Sequence, residues 1–200
     1  MTAVDTTLYP EQVMIGTANG PGLWIAPAGT PPPASLGAYP SPWKNLGYAS
    51  DDGVTISGDT TTEAITPWQS KLPIRQVVTE ITKTINFTMW QLNADTLALY
   101  FDTDVGTATA GAYSFDVRSD SPPKVWAVSV DVKDGEGQFR ITYSRANLDS
   151  AGDMAITKSA VVPLEVTLSA LDDNGVMAHV DVKTAGTTAP GNGAADEEAA

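Results

Sequence analysis

The sequence contains no cysteine. That excludes disulfides, thiolate nucleophiles and cysteine-ligated zinc. It has a single histidine, His179. A serine-hydrolase triad would have to use it, and no Gly-x-Ser-x-Gly elbow accompanies it. With no second His and no Cys to share a metal, His179 reads as a solvent-facing strand residue. No Walker A sequence and no Gly-x-Gly-x-x-Gly fingerprint occurs. Basic residues are scarce: 11 Lys and Arg stand against 24 Asp and Glu, a formal net charge of −13 over 200 residues. Proteins that bind nucleic acid gain affinity by neutralising phosphates, so direct DNA or RNA binding is not expected. No run approaches the ~20 apolar residues of a membrane-spanning helix. The first sixteen residues show neither the basic nor the apolar region of a signal peptide.

What remains is a chain with 42% apolar residues, enough for one core. Residues 1–42 read as an N-terminal arm that orders on neighbours or on its own body. Seven prolines between Pro21 and Pro42 interrupt any regular ladder there, although Leu23-Trp24-Ile25 has the makings of a short strand. Residues 43–183 read as one β domain. Leu46–Ser50 and Val54–Ser57 flank an Asp51-Asp52-Gly53 turn. Residues 58–73, rich in Thr and broken by Pro67 and Pro73, read as a long loop. Ile81, Lys83, Ile85, Phe87 and Met89 then alternate with polar residues at the two-residue period of a strand. Asn93–Tyr100 is the one helix, capped by Asn93 or Asp95. Trp126, Val128, Val130 and Val132 form a strand that turns at Asp134–Gly137 into Phe139, Ile141 and Tyr143. Val162–Ala170 and Val176–Val182 flank Asn174-Gly175, a strong hairpin signal. Residues 184–200 are small, polar and acidic and read as a disordered tail. The fold class is all-β, a sandwich or open barrel with one short flanking helix.

Candidate chemistry is thin. Asp102 and Asp104, Asp131 to Glu136, and Asp172 to Asn174 carry oxygen ligands suited to calcium, but none has the spacing of a twelve-residue EF-hand loop. Asp, Asn and Gly are also the ordinary residues of tight turns, which is the reading favoured. The five tryptophans fit either a sugar platform or packed interfaces, and we favour packing. No catalytic residue, cofactor or metal is expected.

The ordered series Trp43-Lys-Asn-Leu-Gly-Tyr48, Asp52-Gly-Val54, Trp68-Gln69, Pro73-Ile-Arg75, Glu80, Phe87-Thr-Met-Trp-Gln-Leu-Asn93, Thr96–Tyr100, Val162–Leu168 and Asp172–Gly175 resembles the major tail tube proteins of siphophages that infect actinobacteria. The resemblance covers residues 43–182. Leu92 departs from it, standing where an acidic residue is expected. The resemblance implies hexameric rings closed by a continuous inner β-barrel and stacked into a tube in the virion tail, assembled in the host bacterial cytoplasm. It also implies tail-tip, tape-measure and terminator proteins as partners, no membrane, and DNA passing through the lumen without specific binding. On that footing Glu80, Asp131 and Glu165 are candidate lumen acids. Trp24, Trp43, Trp68 and Arg75 are candidate contacts between subunits, with residues 1–42 and 58–73 assigned to ring stacking. A tail terminator, a head-decoration protein and a carbohydrate-binding sandwich are the alternatives.

Overall fold

The computed structural model describes residues 13–16, 22–106 and 112–185. In order these form β1 (Gly22–Pro27), β2 (Lys44–Asn45), β3 (Ala49–Ile65), β4 (Arg75–Met89), α1 (Ala94–Tyr100), β5 (Val125–Asp134), β6 (Gly137–Ala151), β7 (Leu164–Ala170) and β8 (His179–Lys183). All pairings are antiparallel. The strands run β2-β1-β5-β6-β7-β4-β3, with β8 also paired to β6.

Strand β6 makes a sandwich out of this single sheet. Its first half, Gln138–Thr142, pairs with β8, and its second half, Ala146–Ala151, pairs with β7. A register shift between Leu148 and Ser150, and another on β5 between Trp126 and Val128, mark irregularities where the ladder bends. The two ends of the sheet then face each other. Leu23, Ile25, Val128, Val130 and Tyr143 on one wall share a core with Ile85, Phe87, Met89, Leu164, Val166 and Leu168 on the other. Leu99 of α1 joins the same core.

The helix begins where the sequence places it. Asn93 Oδ1 accepts the Asp95 and Thr96 amides at 2.9 and 3.0 Å, and the Asn93 amide donates to Thr96 Oγ1 at 3.0 Å. Three amide donors at the helix start are thereby satisfied. The Asp134–Gly137 hairpin is present, with Gly135 at a φ of 56°.

Of the two alternatives for residues 22–42, ordering on neighbours or on the chain's own body, the structure takes the second: β1 lies between β2 and β5 with Leu23 and Ile25 in the core. Other expectations are corrected. Residues 58–65 are not loop, because β3 continues through them to Ile65, opposite Arg75. Asp51-Asp52-Gly53 does not separate two strands. It is a bulge within β3, where the pairing passes from Ala49↔Met89 to Val54↔Phe87. The Asn174-Gly175 turn forms, with φ of 56° and 86° at its two central residues. The strand after it joins β6 instead of β7. Residues 1–12, 17–21, 107–111 and 186–200, and with them most of the expected tail, lie outside the described residues.

Because β1 supplies one wall of the core, deleting residues 1–42 should abolish the folded domain and not merely its assembly. Leu23→Ala alone should cost ~2–5 kcal/mol. Urea unfolding followed by tryptophan fluorescence checks both: the deletion should lack a cooperative transition, and Leu23→Ala should shift the midpoint down with an unchanged slope.

Candidate functional site

Three surfaces stand out, and each follows from how the sheet is covered. The first is the outward face of β1, β5 and β6, which residues 28–43 cover. Trp24 stacks on Tyr39 at 4.1 Å between ring centroids, and Tyr39 meets Trp43 edge-on at 5.6 Å. Beneath them lies Arg140, only 2% exposed. Its guanidinium donates to the Ser35 and Gly37 carbonyls at 2.8 and 2.9 Å and to Asp131 Oδ2 at 2.6 Å. It also sits 4.3 Å from the centre of the Tyr39 ring. A buried cation is tolerable only with such partners. Here they tie the proline-rich segment down by its backbone. Tyr39 Oη and Ser129 Oγ share a hydrogen bond of 2.8 Å. Burial pushes the Tyr39 phenol above its usual pKa of 10.0, against the opposing pull of Ser129 and Arg140. Burial likewise raises Tyr143.

The second surface is the outward face of β3, β4 and β7. The register aligns Thr55, Asn86 and Thr167 in one row, Ser57, Thr84 and Ser169 in the next, and Asp59 with Thr82, Thr61 with Glu80, and Thr88 with Glu165. None of these side chains is buried. The face is hydroxyl- and amide-rich, and the charges in these rows are Asp59, Glu80 and Glu165 alone. Asn86 Nδ2 donates to Glu165 Oε1 at 3.0 Å and to Thr167 Oγ1 at 2.9 Å, linking adjacent strands across the face.

The third surface is the outer part of the β3–β4 hairpin. From Thr55 to Ile81 no side chain is buried. Trp68 is 99% exposed, Leu72 74% and Ile74 70%, and Ile65, Val77, Val78 and Ile81 are also exposed. A two-stranded ribbon is marginal by itself, and an apolar surface of this kind marks a contact with another molecule. Among the described residues no strand pairs with the outer side of β3, a 17-residue strand with no Lys, Arg or Pro, interrupted by the bulge before Val54.

A family model of phage tail tube proteins matches residues 7–194. The chain belongs to that family. It is a structural tail tube protein, and no curated protein matches it. Tail tube proteins are assembly units, so bare edges and faces are the features that matter here.

Of the candidate lumen acids, Glu80 and Glu165 share the polar face of the tail tube protein. Asp131 does not: it lies on the covered side of β5, paired with Arg140 and accepting Gln138 Nε2 at 2.9 Å. Of the four candidate contact residues, Trp68 and Arg75 lie at the outer end of the hairpin. Trp43 is 6% exposed and packs on Ala26 and Ala127, and Trp24 stacks on Tyr39, so both serve the chain's own packing. His179 is exposed on β8, 3.5 Å from Asp181. Among the described residues no three acids or histidines gather as a metal site, and no helix is long and apolar enough to cross a membrane. Sequence reasoning missed Arg140 and Tyr39. An arginine alternating with Phe139 and Ile141 in an apolar strand was the available signal.

Raised phenol pKa values have a defined sign. Below pH 10 Tyr39 and Tyr143 are neutral in both states and their packing counts in full. Above it the unfolded chain ionises first, so stability should fall as pH rises from the usual tyrosine value through the higher folded values. Urea midpoints between neutral pH and about pH 11 should show this decline. Tyr39→Phe should make it shallower.

Proposed function

We propose that this protein forms hexameric rings that stack into the tail tube of a siphophage infecting actinobacteria. In this reading the outward face of β3, β4 and β7 lines an acidic channel through which DNA is ejected. The observation that carries it is the union of two features on one part of the sheet. A broad face with only negative charge is bounded by the long β3 edge, whose run from Val54 to Ile65 follows the bulge and carries no Lys, Arg or Pro. An edge of this length invites pairing with another chain, and a heterologous contact that closes on itself makes a ring. In a ring of this kind the inner strands of all copies join into one barrel.

Charge then serves passage. Phosphates are repelled by Asp59, Glu80 and Glu165, and the Debye length of ~8 Å at physiological salt lets their field reach well into a narrow lumen. Hydroxyl and amide side chains between the acids keep the wall wetted without adding cations that would hold DNA. Stacking falls to the hairpin, whose apolar end reaches beyond the body toward the next ring. Tail-tip, tape-measure and terminator proteins complete the assembly, which takes place in the host cytoplasm.

Negative-stain microscopy of the concentrated protein should show hollow filaments. Particles that stop at one ring would favour a terminator, and a persistent monomer would sink the tube reading. Glu165→Lys should leave folding and filament growth intact, while filaments of this variant should retain added duplex DNA in a salt-dependent manner. Retention indistinguishable from wild type would remove the β7 face from the channel wall.

A further inference from the structure

The hairpin that carries the exposed Trp68 is rooted beside an open groove of about 1020 Å³. Its walls include Tyr48, Ile56, Trp90, Val132 and Phe139, and Asp51 and Asp52 stand at its rim. The bulge at Ser50–Gly53, where pairing with β4 lapses between Ala49 and Val54, supplies part of the groove lining. Gly53, at a φ of 77°, allows that turn. Both rim acids are exposed.

The end of the hairpin is complementary to this groove in apolar character and in charge. Residues 64–76 contain Lys71 and Arg75 and no acid, and they present Trp68, Leu72 and Ile74 to solvent. The two features cannot meet within one chain. The paired stretch from Ile56 to Ile65 along β3 spans roughly 30 Å at the rise of a strand, and the ladder holds the end away from its own root. Only another copy can bring a hairpin end to the groove.

We infer that, in the stacked assembly proposed above, the hairpin end of one copy docks into the hairpin-root groove of another. Trp68 enters between Tyr48, Trp90 and Phe139, and Lys71 and Arg75 approach Asp51 and Asp52. A plug and a socket at opposite ends of the same element make a head-to-tail contact, which does not close after two copies but propagates. The repeat along the tube is then set by the length of the ribbon. Removing the apolar end from water also supplies the burial that the lone ribbon lacks.

The absence of cysteine permits a direct test. Gln91→Cys, at the groove wall, is labelled with a benzophenone maleimide, mixed with isotope-heavy wild-type protein, assembled, irradiated and analysed by mass spectrometry. The expected product joins light position 91 to heavy residues 66–75. In parallel, Lys71→Glu with Arg75→Glu should raise the concentration needed for assembly roughly tenfold or more, the equivalent of ~1.4 kcal/mol per decade. Adding Asp51→Lys with Asp52→Lys should restore growth. Tubes that form while position 91 joins any other segment, or while charge reversal has no effect, overturn this docking and leave the tube reading standing. A wild-type chain that never assembles overturns both.

Discussion

Strand β6 is the constraint on which the rest depends. Along a single edge it must satisfy two partners, β8 with its first half and β7 with its second. A flat strand cannot serve two walls, so the ladder bends and the sheet folds over its own apolar side. One sheet thereby supplies both layers of the sandwich, and the core contains residues from nearly every strand. It follows that, among the described residues, β3 is left at the end of the path with no strand beyond it. The edge offered to a neighbour is a by-product of how the core is closed.

The two outward faces are treated in opposite ways. Over β1, β5 and β6 the protein uses its own proline-rich segment as a cover, fixed by Arg140, Tyr39 and the stacked Trp24. Prolines suit this role, since a cover that donates few amide hydrogens leaves few to satisfy against the sheet. Over β3, β4 and β7 no such cover exists among the described residues, and the side chains there are Thr, Ser, Asn and acids. A face that polar gains nothing from being packed over. Covered and uncovered faces therefore divide internal packing from the surface available to the tail.

The hairpin shows why a single copy looks unfinished. Its strands are well paired to each other, yet from Thr55 to Ile81 no side chain is buried. Backbone pairing without burial gives little net stability. An assembly protein gains from this: an element that is weak alone and stable in contact keeps free subunits apart until a growing end is present. In the docking proposed, exposed aromatic and aliphatic groups at its end, accompanied by Lys71 and Arg75, would give the contact both burial and direction.

Local chemistry was legible throughout. Asn93 with Thr96 set the helix start, and Asn174-Gly175 set a turn with two positive φ angles. The alternation in Ile85–Met89, Val128–Val130 and Leu164–Leu168 marked core strands. Each depends on neighbours a few residues away, which is why sequence alone determined them, along with the all-β class, the acidic surplus and the family resemblance. Long-range choices were not legible. Which strand follows the Asn-Gly turn into pairing, whether Thr-rich residues 58–65 extend a ladder, and whether Asp131 faces a channel or an arginine depend on groups far apart in the chain. Asp131 and Gln138 share a hairpin, but the Ser35 and Gly37 carbonyls that complete the Arg140 site lie 105 and 103 residues away in sequence. Periodicity records that a residue alternates; only the folded sheet decides what lies on each side of it, because cover and exposure are properties of the whole packing and not of the strand.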